Sequence, residues 1–418
     1  MFVAFRRRAM WSFWACGLPL LAGHAGWAGD WPQILGPDRN GKATADEKLA
    51  ESWPEGGPRR VWVKKLGSGY AGPAVVGERV IVFHRVGSNE MVEALDPNTG
   101  RPQWKAQFEA TYRTTIDPDD GPRCVPLIAD GKVYVYGAAG DLRCVSLDKG
   151  QKLWERSLLV DYAGEEGYFG AGSTPILVGG RLLLNVGGRG AGIVAIDPAT
   201  GKTVWKATDE QASYSAPTVV KHGGKDQALF VTRYNCVLAD PAGGAPQVLF
   251  AFGKRGPTVN AATPLVFGGK LLVTSSYGIG ARLASLESVG RAAWADDDTL
   301  SSQFATPVEH NGFLYGTHGR DDVGVAELRC IEAATGKVRW SREGYGVANL
   351  ILAGDKLLIA GARGRLALAR ANPAKYEELA SHQQGADASF ALPALAGGRL
   401  YVRTGRGGGE MACYEVGR

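Results

Sequence analysis

The stretch ALDPNTGRPQW, residues 94–104, reads as the end of one β-strand, a tight turn, and a second strand begun at a tryptophan. Nearly the same words return as SLDKGQKLW (146–154), AIDPATGKTVW (195–205) and CIEAATGKVRW (330–340). The turn has a mechanism. The Asp96 carboxylate accepts N–H bonds from the residues that follow it, and Gly100 takes the positive φ that closes the loop. The tryptophan then opens the next strand, where a large flat side chain covers a seam and offers its N–H to a polar partner. Residues 236–250 and 369–380, LADPAGGAPQVLF and RANPAKYEELA within them, keep only traces of the word.

Aligning these words brings in the sequence upstream of each. The unit is a small residue or two, a proline, a β run, a glycine turn, a second β run, a loop, a third β run, the D-x-x-T-G turn and tryptophan. The proline falls at Pro73, Pro126, Pro175, Pro217, Pro264, Pro307 and Pro393, and Asn349 starts an eighth unit without one. The period is about 46 residues, which suits a four-stranded propeller blade. Runs such as AVVGERVIVF (74–83), ILVGGRLLLNV (176–186) and ALAGGRLYVR (394–403) are alternating or wholly apolar, split by two-residue hairpin turns. No stretch sustains a helical period. The fold expected is all-β, an eight-bladed propeller, with seven blades as the alternative because the seventh unit is degenerate. The last unit lacks a tryptophan strand, while RRVWVKKL near the other end carries Trp62. Residues 60–66 should therefore supply the missing outer strand and close the ring. On this reading 60–66 carry the closure, and residues 30–55 contribute little stability by comparison.

The chain has 418 residues, 45% hydrophobic and 21% charged, with 59 glycines that fit a fold built on tight turns. Residues 1–28 read as a secretory signal peptide: Arg6, Arg7 and Arg8, the apolar AMWSFWACGLPLLAG, then Gly26 and Ala28 at the cleavage site. Export by the general or the twin-arginine route stays open. Cys16 follows Phe13-Trp14-Ala15, a poor lipobox for a lipid anchor. Residues 29–59 read as an N-terminal extended segment and 60–418 as the propeller. The expected location is periplasmic or extracellular. No later stretch is long and apolar enough to span a membrane as a helix. The formal charge of +5 owes three units to the leader arginines, so the rest of the chain is nearly balanced and argues against a nucleic-acid partner. A monomer is expected.

Cys144, Cys236, Cys330 and Cys413 are assigned one slot, four residues before the turn aspartate, where other units carry Val92, Ile193 and Leu283. Cys124 lies two residues before a proline, where other units carry alanine or serine. Equivalent slots of different blades are too far apart to bridge, so no disulfide is expected and the cysteines read as small buried apolar residues. His310 and His318 flank one strand and cannot share a metal. The acidic runs at 117–121 and 296–298 lack the spacing of a calcium loop. GSGYAG (67–72) matches a dinucleotide fingerprint in letters only, since it opens no helix.

Three residues before the prolines stand Tyr70, Arg123, Gly172, Tyr214, Ala261, Phe304 and Phe390. That position opens the innermost strand, so these side chains should ring one mouth of the central channel. Loops between second and third strands should bring His84, Arg85, Arg233, Tyr234, His318, Arg320 and Arg363 to the same face. Aromatic residues and arginine on loops of a rigid scaffold are the usual binding anchors; the alternative is that the ring aromatics fill the narrowing channel.

At its D-x-x-T-G-x-x-x-W words the chain resembles the pyrroloquinoline-quinone-like (PQQ-like) propeller repeat family over residues 60–418. DWPQILGPDRNG (30–41) and SWPEGGPRRVW (52–62) look more closely like exported members found in planctomycetes. The family includes quinoprotein alcohol dehydrogenases and a propeller lipoprotein of outer-membrane assembly. The dehydrogenase resemblance implies PQQ held against an adjacent-cysteine disulfide, with calcium on Glu, Asn and Asp. This chain has no adjacent cysteines and no such acidic set in view, so no cofactor, no metal and no catalytic residue is expected. The expectation is a non-catalytic binding or scaffold module for an envelope protein or polysaccharide. A PQQ-dependent alcohol or sugar dehydrogenase is the alternative, and a polysaccharide-degrading protein the third reading.

Overall fold

A computed structural model of the chain describes residues 1, 29–114, 116–385, 390–405 and 408–417. The leader reading at 1–28, Cys16 included, lies outside the described residues.

Eight antiparallel four-stranded sheets form the ring. Blades 1 to 7 span residues 74–109, 127–157, 176–207, 218–251, 265–296, 308–342 and 348–383, each a simple meander from the channel outward. Blade 8 takes its three inner strands from 394–415 and its outer strand from Arg59–Leu66. The closing pair runs Trp62 opposite Cys413 through Leu66 opposite Gly409. Closure by the first strand is thus as expected, and the degenerate seventh unit is a full blade. Among the described residues, helix is confined to Leu158–Asp161 and one 3-10 turn at Leu286–Ser288.

The repeated word does at each corner what its chemistry demands. Asp96 Oδ1 accepts from the N–H of Asn98 and Thr99 and from the Thr99 hydroxyl, and Gly100 sits at φ 68°. A Cβ on Gly100 would lie 2.7 Å from the ring of Trp62, so the glycine also leaves room for the preceding blade's tryptophan. Trp62, Trp104, Trp154, Trp205, Trp294 and Trp340 each donate their indole N–H to a corner carbonyl of the next blade. The tryptophan word is a blade-to-blade clasp.

Two slot assignments are corrected. In blade 2 the residue matching Asp96 is Ser146, whose carbonyl accepts from Gly150 as the Asp96 carbonyl does from Gly100. Cys144, Cys330 and Cys413 accordingly share one slot, opposite a second-strand tyrosine and an outer-strand tryptophan, together with Leu283 opposite Trp294. Cys236 sits two residues earlier, with Val92 and Ile193. A two-residue offset keeps every side chain on the same face of a strand, so hydrophobic alternation could not detect it. All five described cysteines are buried and free.

Residues 29–53 run through the fold. Trp31 bridges Val75 on the inner strand of blade 1 through both backbone N–H groups, at 2.8 Å each. The Pro32 carbonyl takes the N–H of Ile128 in blade 2, and Gly41 and Ala43 bracket Leu352 in blade 7. The innermost strand of a blade has a neighbour on one side only, so its other edge faces the channel with unpaired backbone groups. The N-terminal segment supplies partners for several of these edges. Arg39, 2% exposed, donates Nη1 to the Pro217 carbonyl at 2.8 Å, Nη2 to Pro175 and Nε to Gln33. Gly36, at φ 82°, turns the chain against the face of Trp31, where a Cβ would come within 2.9 Å of the ring. Trp31, Ile34, Leu35, Leu49 and Trp53 are all buried. Trp53 joins the core cluster containing Leu366 and Leu368 of blade 7 and Leu395 of blade 8, next to the one seam whose donor blade has neither tryptophan nor phenylalanine on its outer strand. Residues 30–53 therefore contribute core of their own beside the closing strand.

Candidate functional site: the open mouth of the channel

The N-terminal segment runs along the face that carries the hairpins between first and second strands; Asp30 accepts from Gly77 in one of these and Glu47 from Gly398 in another. The opposite mouth stays open as a cup of about 220 Å³. All seven residues expected around the ring line it: Tyr70, Arg123, Gly172, Tyr214, Ala261, Phe304 and Phe390. They come together because each precedes the proline that starts an inner strand, and because neighbouring connections hold their backbones. The Pro122 carbonyl accepts from Tyr70 and Ala71, and the Asn260 carbonyl from Tyr214 and Ser215. Hydroxyls stitch the same level from blade to blade, Ser173 to the Ser215 carbonyl at 2.9 Å and Ser215 to the Ala262 carbonyl at 2.8 Å.

Aromatic rings make the wall. Phe390 lies edge-on to Phe304 with centroids 4.9 Å apart and meets Tyr70 at 5.5 Å. Ile34 of the N-terminal segment contributes to the cup with Val125 and Leu392, so the chain's own beginning helps to floor its central pocket. Asn349, 4% exposed, also lines it and leaves its Oδ1 without a hydrogen-bond partner. Arg123 is braced rather than free. Its guanidinium lies over the rings of Tyr70 and Tyr112 and donates to the carbonyls of Asp119 and Gly121. Tyr214 donates nothing outward: it accepts the N–H of Phe169 at 2.6 Å, and burial pushes its phenol up to about 12.

The second-to-third-strand residues divide. Arg233 and Tyr234 line a neighbouring pocket that shares Tyr214 with the cup, and the Arg233 guanidinium stacks on Tyr234 at 5.2 Å. His318 and Arg320 line another, next to Tyr277, whose ring carries Arg320 at 4.3 Å. Arg363 is exposed and pairs with Asp321 at 3.5 Å. His84 and Arg85 are not surface groups, which corrects their assignment. Both are 2% exposed. His84 accepts the Gly67 N–H on Nδ1 and meets Glu93 at 3.2 Å, while Arg85 donates to the carbonyls of Tyr112, Ala110 and Gly87. They stand on the strand before its loop turns outward, where arginine and histidine satisfy backbone carbonyls and N–H groups that water cannot reach.

Residues that the repeat does not mark complete the site. Asp117, Phe169, Val259, Tyr277 and Gln303 come from irregular connections and reach the cup. Ile116, Tyr168 and Val323 stand exposed on loops, and Val325 is exposed at the start of the third strand of blade 6. The available signal was an apolar side chain set alone in a glycine- and acid-rich loop.

The mouth's donor set does not fit PQQ with calcium. Asp117 is the one carboxylate in the cup lining and is already engaged by the Tyr70 hydroxyl at 2.9 Å. No grouping of three His, Cys, Asp or Glu suited to a metal occurs among the described residues.

The family described as outer membrane protein assembly factor BamB matches residues 46–216 and 189–343. A curated relative of that name from Salmonella typhimurium is 25% identical over 281 residues, covering 63% of this chain and 69% of its own length. The crystal structure of BamB from Moraxella catarrhalis superposes with a TM-score of 0.62 at 17% identity, over 85% of this chain and 97% of that one. A europium-containing methanol dehydrogenase superposes with a TM-score of 0.67, at 13% identity over 92% and 91% of the two chains. At such identities the structural likenesses establish a shared fold.

Proposed function

The chain belongs to the family described as outer membrane protein assembly factor BamB, and from that membership we propose that it is a non-catalytic binding platform of the cell envelope whose protein partner docks on the open mouth. The observation that carries this reading is the aromatic cup. Tyr70, Phe304 and Phe390 surround an apolar depression to which the chain's own Ile34 contributes, and exposed apolar loop tips surround it. A preformed apolar pocket inside a mixed polar rim is how interfaces concentrate their energy: one buried anchor from the partner fills the pocket, and the rim excludes water. A cell-envelope location is the reading supported by the relatives' name and by the leader-like composition of residues 1–28.

The test uses the full-length mature chain, immobilised and exposed to envelope extract, with the captured partner then purified and its affinity measured. Phe304→Ala, Phe390→Ala and Tyr70→Ala should each weaken binding about tenfold or more, as anchor-pocket truncations do. Arg123→Ala and Tyr214→Ala should act in the same direction. Undiminished affinity in folded variants would remove the mouth as the docking face. In a parallel arm the protein is given PQQ and calcium and desalted. Retained quinone absorbance, with dye reduction on adding an alcohol, would overturn the non-catalytic reading.

A further inference from the structure

Beside the cup lies a larger pocket of about 570 Å³, walled by the connections that lead into blades 2, 3, 4 and 5 and by the Arg233–Tyr234 loop of blade 4. We propose that this side pocket, which shares Tyr214 with the cup, binds a neutral saccharide.

Three features select that ligand class. The first is aromatic surface, with Tyr168 and Tyr234 in the lining and Tyr168 half-exposed. The electron-rich faces of such rings attract the weakly positive C–H face of a sugar ring. The second is charge. Arg113, paired with Asp120 at 3.2 Å, and Arg233 share the wall with Glu165 and Glu166. An anionic ligand would face two carboxylates and a cationic one two guanidinium groups, so either would meet a like charge. A polyol accepts from the guanidinium groups and donates to the carboxylates, satisfying both kinds of group at once.

The third feature is a buried polar atom left over. Asn260, 1% exposed, spends its amide N–H₂ on the carbonyls of Thr232 and Phe252, at 2.9 and 3.1 Å. Its Oδ1 has no partner, although the residue lines the pocket. An unsatisfied buried acceptor is costly, and a ligand hydroxyl that displaces the side chains covering this oxygen would relieve it. The volume falls within the range of small-molecule sites. Arg233 is held over Tyr234 and donates to the Thr258 hydroxyl and the Gly256 carbonyl, so this wall is organised before any ligand arrives.

The test is saturation-transfer NMR and calorimetry on the full mature chain with maltotriose, cellotriose, mannotriose and N-acetylchitotriose. Trigalacturonate and trilysine serve as charged controls. At least one neutral trisaccharide should bind. Tyr234→Ala and Asn260→Ala should each weaken it about tenfold, with unchanged melting profiles showing that the variants fold. Should Asn260→Ala unfold the protein, Tyr168→Ala provides the second reading, with the same loss expected. Phe304→Ala, in the cup but outside this pocket, should leave saccharide affinity unchanged. Absence of binding by every neutral probe at about 10 mM would overturn the proposal. So would equal binding of the charged controls, or undiminished binding by the folded variants.

Discussion

Trp62 donates its indole N–H to the carbonyl of Pro97 at 2.8 Å, fastening the eighth blade to the first. Thirty-five residues separate them in the chain. The same contact recurs at five other seams, but here the tryptophan comes from the N-terminal side of the chain while its blade comes from the C-terminal side. Trp62→Ala removes both the clasp and a buried aromatic. Urea unfolding should show a loss of about 3–5 kcal/mol, the range for large aromatic truncations in a core. A loss below about 1 kcal/mol would mean that backbone pairing of Arg59–Leu66 suffices to hold the ring shut.

Arg39 tests the role of the N-terminal segment in the channel. Its fork donates to Pro175 and Pro217 on two adjacent blades and to Gln33 on its own loop. Lysine carries the charge but not the planar fork. Arg39→Lys should cost about 1–3 kcal/mol in thermal or urea unfolding, since it strands buried carbonyls. It should also speed proteolysis within residues 30–58 of the otherwise folded protein. Unchanged stability and protection would show that backbone pairing at Trp31, Gly41 and Ala43 holds the segment unaided.

Glu93 gives the stability a pH dependence. It lies 3.2 Å from His84 and 3.2 Å from Lys64, with Lys105 at 3.5 Å and the charge of Arg403 also felt by His84. Burial alone would raise its pKa, but His84 and Lys64 outweigh burial and hold it down at about 2. A carboxylate with a depressed folded pKa contributes stability above its ordinary value of 4.5, and that contribution drains away as pH falls toward 2. His84 acts earlier. Burial lowers its pKa despite the Glu93 hydrogen bond, so stability begins to fall as pH drops below 6.5. Glu93→Gln should therefore be destabilised by about 3 kcal/mol near neutral pH. Its gap to the wild type should narrow between pH 4.5 and 2. A gap independent of pH would mean that packing, not charge, sets the cost.

The five described cysteines should be inert in the native protein. Burial pushes Cys124, Cys144 and Cys413 up to about 12 and Cys330 to about 11, and it raises Cys236 as well. Thiolate, the reactive form, is then scarce and inaccessible. Iodoacetamide should label none of them in the folded mature chain and all five after denaturation without reductant. Three labels or fewer in the denatured sample would reveal a disulfide.

By itself the sequence determined the ring, its blade count, its closing strand and the residues at the mouth, because each rests on local chemistry repeated at a fixed spacing. Asp96 and Gly100 make a turn wherever their pattern recurs, and Trp104 follows it by four residues. Tyr70, Phe304 and Phe390 converge because the same slot of each blade faces the same axis. What the repeat does not encode fell to the tertiary structure. The slots of Cys144 and Cys236 differ by two residues, a shift to which alternation is blind. His84 and Arg85 sit one turn of strand short of the surface, and only their partners at Gly67, Glu93 and Tyr112 reveal that they are spent. Residues 29–53 occur once, with no second copy to align, and their place is set by unpaired backbone edges of blades from the first to the seventh. Those edges become partners for Trp31, Gly41 and Ala43 only when the ring exists to present them.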